Sequence, residues 1–455
     1  MIRNTSSWFS TLVFLILVST SSLSMAENPI IQTNFTADPA PIVINGTVFL
    51  YTSHDEDDAD AFKMIDWKLY TSTDMVNWTD HGSVASLKTF PWAVQSNDAW
   101  APQVAERNGK FYLYVPISAH GDPKNVIAVA VADSPYGPFK DALGHPLIDR
   151  AQGYIDPTVF IDNGQAYLYW GNPNLWYVKL NDDMISYSGE IVQVDSKPED
   201  YQEGPWFYKR KDKYYMAYAS HCCPEGIGYA MSDSPIGPWV HKGKLMNPNV
   251  ASSGNHPGII DYKGGSYVFG FNYKLNFALT EKHRERRSVC VAKFDYNADG
   301  TINTVPWWDD NGVEQIEKLH PYQRVEAETI AWESGVRTAG DHSSGVYVTQ
   351  IRNGSYIKVN GVDFGDVNTP LFSANVATVI DGGRIEVHLD SLTGSMIASL
   401  PVGNTGGWQK WRVNTTRASN VRGTHDLYFV FKGEGKESLF NFDYWTFSKK
   451  AAGTK

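Results

Sequence analysis

The chain has 455 residues, 42% of them hydrophobic and 20% charged, which excludes a disordered chain and supplies material for a large core. Its formal charge of −11 and pI near 5.5 exclude the basic surface that holds nucleic acid and favour a neutral polymer as partner. Aromatic residues are abundant (15 Trp, 25 Tyr, 21 Phe). Such rings fill β cores and, in surplus, stack on sugar faces. Three cysteines are too few for a disulfide framework.

Residues 1–26 read as a signal peptide. Arg3 supplies the positive start, residues 11–18 (TLVFLILV) the apolar stretch, and Ser24, Met25 and Ala26 a small-residue cleavage site. The apolar run is shorter than the about 18–20 residues that span a bilayer. The expectation is therefore a soluble exported protein, secreted or periplasmic, with no membrane partner once the leader is cut. The adjacent Cys222 and Cys223 are either oxidised in that compartment or buried as free thiols.

From residue 27 to about residue 319 the chain repeats itself. Five segments place a turn residue seven positions after a proline and an aromatic three positions later: Pro39–Gly46–Phe49, Pro102–Gly109–Tyr112, Pro157–Gly164–Tyr167, Pro205–Asp212–Tyr215 and Pro257–Gly264–Tyr267. Apolar runs on either side of the turn make each unit a hairpin. A second repeated piece follows three of the hairpins, at residues 72–78 (STDMVNW), 133–139 (DSPYGPF) and 233–239 (DSPIGPW), and marks the turn between a third and a fourth strand. Four strands repeated five times predict an all-β fold, a five-bladed β-propeller.

First strands of propeller blades line the central channel, so the residues just before the repeat prolines converge on one end of the axis. They are Asp38, Trp100, Asp156, Glu203 and His256. Three carboxylates in one small space suit glycosidic bond cleavage, in which one acid protonates the leaving oxygen and another carboxylate activates water or attacks. The third raises the pKa of the proton donor by charge repulsion. The Trp100 ring covers the apolar face of a sugar. His256, with no cysteine or second histidine in register, is not an ordinary zinc ligand; it orients a carboxylate or holds a hydrated cation.

The stretches FTADPAPIV, AWAPQV, YIDPTVFID, EGPWFYKR and NHPGIIDY, with RRSVCVAKFDYNADGTI in the last blade, resemble glycoside hydrolase family 43, and within it the arabinoxylan arabinofuranohydrolases. The resemblance implies an inverting enzyme that removes α-L-arabinofuranosyl side chains from arabinoxylan or a related plant cell-wall polysaccharide. It assigns Asp38 as general base, Asp156 as the residue that tunes and protonates the acid, and Glu203 as general acid. It also implies that His256 accompanies calcium or another ion through water and that Arg287, crowded by Arg284 and Arg286, contacts the sugar. A β-xylosidase or an endo-arabinanase on the same scaffold is the alternative, as is, in another class, a non-catalytic polysaccharide-binding protein. The acidic run from Asp55 to Asp60 reads as a solvated loop rather than a rim of the cleft.

Residues 306–312 (PWWDDNG) read as an exposed exit from the last blade, and residues 320–455 as a second unit. Its alternating strands suggest a β-sandwich or jelly roll. They resemble carbohydrate-binding module family 6. That resemblance implies a structural calcium on Glu326, Glu328 and Asp443, whose oxygens suit the ion, and a sugar cleft formed by Trp408 and Asn441. The second aromatic of such a cleft is replaced by Gln350, with Tyr347 three residues upstream.

Overall fold

Runs of five to ten residues rich in Val, Ile, Tyr, Phe and Thr, broken by Asn-Gly pairs, dictate strands joined by tight turns. The computed structural model describes residues 25–120, 125–149, 153–249, 253–280, 285–341, 345–366 and 370–449. Residues 1–24 of the expected leader and Arg284 lie outside them. Met25–Glu27 is a strand paired with Asn311–Glu314.

The repeats are blades. Blade one consists of Phe35–Ile44, Thr47–Asp55, Asp66–Ser72 and Trp78–Ser86; blade two of Gln103–Arg107, Lys110–Ser118, Asn125–Ala132 and Lys140–Asp141. Blade three is Thr158–Asp162, Gln165–Trp170, Trp176–Leu180 and Tyr187–Gln193, and blade four Tyr201–Arg210, Lys213–Ser220, Gly226–Ser232 and Val240–Met246. All neighbours are antiparallel. Four of the hairpins turn on an Asn-Gly or Lys-Gly pair with both φ angles positive, such as Asn45 (+49°) and Gly46 (+78°), the geometry that matches strand twist. The predicted turns at residues 72–78, 133–139 and 233–239 do join third to fourth strands. They also dock neighbouring blades: the Tyr51 hydroxyl of blade one donates to Pro135 O of blade two, and Tyr169 of blade three to Pro235 O of blade four.

Blade five departs from the expected four-strand pattern. It contributes only Gly258–Tyr262, Gly265–Asn272 and Ser288–Phe294 in sequence, with the helix Lys274–Leu279 after the second strand. Its outer place is taken by the N-terminal segment, which runs antiparallel to the third strand through Ile30 N to Val289 O (2.8 Å) and Thr36 N to Arg287 O (2.8 Å). The ring is thus closed by joining the two ends of the domain, and no free edge is left there. The exit segment is exposed at Pro306, Asp309, Asp310 and Asn311, as expected, but it anchors one ring inside. Trp308 is buried at 5% exposure because its ring fills the space above Gly270, where a Cβ would lie 2.4 Å from it.

The second unit is a β-sandwich. One sheet runs in the order Arg337–Asp341, Gly345–Thr349, Asn441–Lys449, Pro370–Thr378, Gly407–Arg417, and the other Trp332–Ser334, Tyr356–Asp363, Thr424–Lys432, Gly383–Leu389, Met396–Val402. Phe372, Phe429, Phe442, Trp445 and Phe447 pack between them. The sandwich hydrogen-bonds to the propeller directly. Thr329–Ile330 pairs with the outer strand of blade one. Beside it, Asn34 Nδ2 donates to Asp80 and Thr338, and Asn77 exchanges bonds with the Asn360 backbone.

Candidate active site

Each proposed acid reaches the axis where the first strand of its blade begins. Asp38 sits at a register irregularity between Ala37 and Ala40, Asp156 just before Thr158–Asp162, and Glu203 between two irregularities of Tyr201–Arg210. Asp38 and Asp156 hold φ angles of +52° and +59°, a left-handed region that residues other than Gly, Asn and Asp seldom enter. Backbone strain of this kind concentrates at functional sites. The glycine of Glu203-Gly204-Pro205 has a separate cause: a Cβ on Gly204 would lie 2.6 Å from the His256 ring. Gly258, two residues after His256, lets blade five meet blade one, since a Cβ there would lie 2.4 Å from Pro39 O.

The three acids, Trp100, His256 and Arg287 line one cavity of about 200 Å³, with Phe62, Met64 and Ile155 as apolar wall. His256 stands in the middle. Its Nδ1 is 3.3 Å from Asp38 Oδ1, while its Nε2 is 3.5 Å from Asp156 Oδ2 and 3.9 Å from Glu203 Oε1. An imidazole therefore separates Asp38 from the Asp156–Glu203 pair. Both ring nitrogens are thus turned to carboxylates.

Asp38 is also gripped by Arg287 Nη1 (3.0 Å) and by the Ser53 hydroxyl (2.6 Å). Arg287 is itself pinned by Asp55 through Nε (3.0 Å), Nη2 (2.9 Å) and the backbone N–H (2.8 Å). It is 3% exposed, and its contacts place it as the holder of Asp38 at the cavity wall. Glu203 Oε2 accepts 2.5 Å from Asn172 Nδ2, and the Asn172 amide oxygen accepts from Gln202 (2.9 Å). Asp156 Oδ2 accepts the Gly204 N–H (3.0 Å), and its Oδ1 is buried without a partner. The Trp100 indole N–H has no protein partner either.

Burial pushes the Asp156 carboxyl up to about 7, opposed by His256 and assisted by Glu203 and Asp38. Burial also works against the charge of Glu203, but His256 and the Asn172 hydrogen bond outweigh it and lower its pKa. Burial opposes the charge of His256 too, yet Asp156, Asp38 and Glu203 raise it to about 10. Against its own burial, Arg287 is held charged by Asp38 and Asp55. Burial thus favours the protonated form of Asp156, while its neighbours favour the ionised form of Glu203.

Several residues in the site or behind it were not expected. Asp55 opens the run read as a solvated loop, yet it is fully buried. It closes the end of Thr47–Asp55, where its carboxylate meets Arg287 from blade five. Phe62, just past the run, lines the cavity. Asn172, Ser53 and Glu225 carry no local motif, because each acts through a residue distant in sequence. Glu225 is 0% exposed, and burial, then Glu203, pushes its carboxyl up to about 7. Cys222 and Cys223 are exposed and bonded to each other, which corrects the reading of buried free thiols.

In the sandwich, Glu328 is buried and its Oε2 has no partner. Its carboxyl is pushed well up by burial and by the nearby charges of Glu326, Asp80 and Asp443. Arg324 holds Glu326 at 2.7 Å and approaches Asp443 to 3.6 Å. Among the described residues, the groups whose acid, thiol and imidazole ligand atoms all lie within 4.8 Å of one another are Asp156–Glu203–His256, His54–Glu56–Asp66 and Cys222–Cys223–Glu225. The set Glu326, Glu328 and Asp443 is more open than these. In the expected cleft, Trp408 is 38% exposed. Asn441 is buried, donating to Trp408 O (2.7 Å) and accepting from Thr349 (2.8 Å), so it braces the strand that carries Trp408. The ring missing at Gln350 has a counterpart: Tyr347 meets Trp411 edge-on at 5.3 Å.

Buried acids set on either side of an imidazole, at the mouth of a cavity the size of one sugar ring, define a glycosidase site on a five-bladed propeller. Known proteins place it further. Glycosyl hydrolases family 43 matches residues 26–302 and the carbohydrate binding module (family 6) matches residues 326–449. The chain belongs to glycosyl hydrolases family 43, as a glycoside hydrolase with a C-terminal family 6 module. It is 36% identical to an arabinoxylan arabinofuranohydrolase of Bacillus subtilis (strain 168), over 93% of this chain and 93% of that one. It is 35% identical to an arabinoxylan arabinofuranohydrolase of Paenibacillus polymyxa, over 94% of this chain and 75% of that one. A crystal structure of a glycoside hydrolase family 43 arabinoxylan arabinofuranohydrolase from Bacillus subtilis, in complex with cellotetraose, superposes with a TM-score of 0.82 at 33% identity, covering 93% of this chain and 97% of that one.

Proposed function

We propose that the chain is an exported, inverting α-L-arabinofuranosidase that removes arabinofuranosyl side chains from arabinoxylan. The observation that carries this reading is the cavity of about 200 Å³ with the three acids in its lining. It is smaller than the roughly 300–1,000 Å³ of pockets for larger ligands, so it admits one terminal sugar and leaves the main chain outside. The names of the relatives that match nearly the whole chain support the same substrate.

In this reading Asp38, fixed by Arg287, His256 and Ser53, takes the proton of the attacking water. Glu203 gives a proton to the leaving oxygen from the opposite side of His256. Inversion requires room for that water, with the two carboxyl groups about 6.5–9.5 Å apart, and the interposed imidazole supports such a gap. Asp156 stores the proton and passes it to Glu203 as charge builds on the leaving oxygen. Trp100, Phe62 and Met64 cover the apolar face of the ring and exclude water.

The test compares sugars released from wheat arabinoxylan, debranched arabinan and an aryl β-xyloside by protein recovered from the exported fraction. Arabinose from arabinoxylan is the expected main product. Predominant xylose from the xyloside would favour the activity named for a xylosidase/arabinosidase of Bacteroides ovatus, which is 30% identical over 61% of this chain.

We also propose that the sandwich binds calcium through Glu326, Glu328 and Asp443. The orphaned Glu328 Oε2 and the all-oxygen donor set support this. The ion would neutralise carboxylates that burial otherwise penalises. Without it, a Glu328 whose folded pKa is raised stabilises the fold at low pH and costs stability as pH rises through its titration. Chelation by EDTA is thus expected to lower the melting temperature more at pH 7 than at pH 5. An equal or absent shift at both would remove calcium from the account.

A further inference from the structure

Glu225 lies outside the cavity lining, on the loop between the second and third strands of blade four, and has no part in the proton transfers assigned to Asp38, Asp156 and Glu203. Its Oε2 accepts the Asn255 N–H at 2.8 Å, and the Gly254 N–H also turns to this carboxylate. Asn255 is fully buried, and its side-chain oxygen accepts the Phe271 N–H (3.2 Å) from blade five. The turn before His256 is therefore held from blade four on one side and from blade five on the other. That turn lies against Glu203 and Arg287: a Cβ on Gly254 would lie 3.7 Å from both Glu203 Oε1 and Arg287 Nη1. His256 follows directly and inserts its ring among Asp38, Asp156 and Glu203.

We propose that Glu225 is a positioning residue for the hydrolysis, its carboxyl clamping the Gly254–Asn255 turn so that His256 stands at the right depth between base and acid. This rests on the reading of the cavity as the active site. What the clamp requires is reach, a hydrogen-bond acceptor at the end of a glutamate-length arm. Charge is not required, in keeping with a carboxyl that burial pushes up to about 7.

Two substitutions separate reach from charge. Glu225→Gln keeps an acceptor oxygen at the same distance and loses the charge. Glu225→Asp keeps the charge and withdraws the acceptor by one methylene. Kinetics are measured on arabinoxylan oligosaccharides and on 4-nitrophenyl α-L-arabinofuranoside, with Glu203→Gln as control. Glu225→Gln is expected to keep most of kcat. Glu225→Asp is expected to lose about 10²-fold in kcat on the oligosaccharide, the scale of an ångström of misplacement, with little change in KM. Its loss on the nitrophenyl substrate is expected to be smaller, because Arg287 and Ser53 still hold Asp38 when the histidine moves, and the misplacement then falls mainly on the proton donor, which a good leaving group hardly needs. A mere loss of folded protein would lower both substrates equally.

The reverse order of the two variants, wild-type kinetics in Glu225→Asp, or equal losses on the two substrates would overturn the proposal. Should Glu225→Asp not fold, Glu225→Gln decides alone: a collapse of its kcat on the oligosaccharide rejects a clamp that needs only an acceptor. If Glu203→Gln keeps full activity on the oligosaccharide, the reading of the cavity fails first, whatever Glu225 does.

Discussion

Glu203→Gln is expected to abolish nearly all release of arabinose from the polysaccharide while sparing much of the hydrolysis of 4-nitrophenyl α-L-arabinofuranoside. A sugar alkoxide is a poor leaving group and needs the proton, whereas nitrophenolate leaves without it. The amide fits the same space and can still meet Asn172, so folding is expected to be intact. The pH profile gives a second readout. Burial pushes the Asp156 carboxyl up to about 7, so activity on the polysaccharide is expected to fall as pH rises past about 7. In the variant this descending limb disappears from what activity remains. Equal losses on both substrates would contradict the role of proton donor.

Asp38→Asn is expected to lose at least the roughly 10²–10⁴-fold that general-base assistance contributes, again in a folded protein, because the amide oxygen can stay with Arg287 while the Ser53 hydroxyl turns to accept from the amide N–H. Its stereochemical companion is independent of any variant. Water attacks the face opposite the leaving group, so an α-linked arabinofuranoside first yields the β anomer. Proton NMR during the first minutes, before mutarotation, reads this directly. Azide is expected to restore no product of retained configuration to Asp38→Asn, since no sugar–enzyme bond lies on the path. An initial α anomer would make a carboxylate the nucleophile and remove Asp38 from its role as base.

The five hairpins, the convergence of Asp38, Trp100, Asp156, Glu203 and His256, and the second all-β unit are legible in the amino-acid sequence alone. The reason is local. A hairpin is written by its turn residues and by alternating side chains within about fifteen positions, and a propeller repeats that local code so that equal register means equal place around the axis. A residue before each repeat proline thus announces its own address. Glu203-Gly204-Pro205 carried even its glycine for a reason visible later, the approach of His256.

What the chain did not announce depends on parts far apart in sequence. The fourth place of blade five is filled by residues near the N-terminus, about 250 positions from its other strands, because the ring must close where its ends meet. Asp55 read as loop acid because only the fold brings Arg287 to it across 232 positions, and burial of both then makes the ion pair necessary. Asn172 and Glu225 likewise act through Glu203 and Asn255, partners set by blade packing. Asn441 carries the residue type of a sugar ligand, and only its position in the sheet brings its amide to Trp408 and Thr349 as well. Turn chemistry and side-chain alternation are properties of neighbours in the chain, and they determined the blades and the three acids. Charge pairing, ring closure and the bracing of the acids are properties of neighbours in space, and these only the packed structure decided.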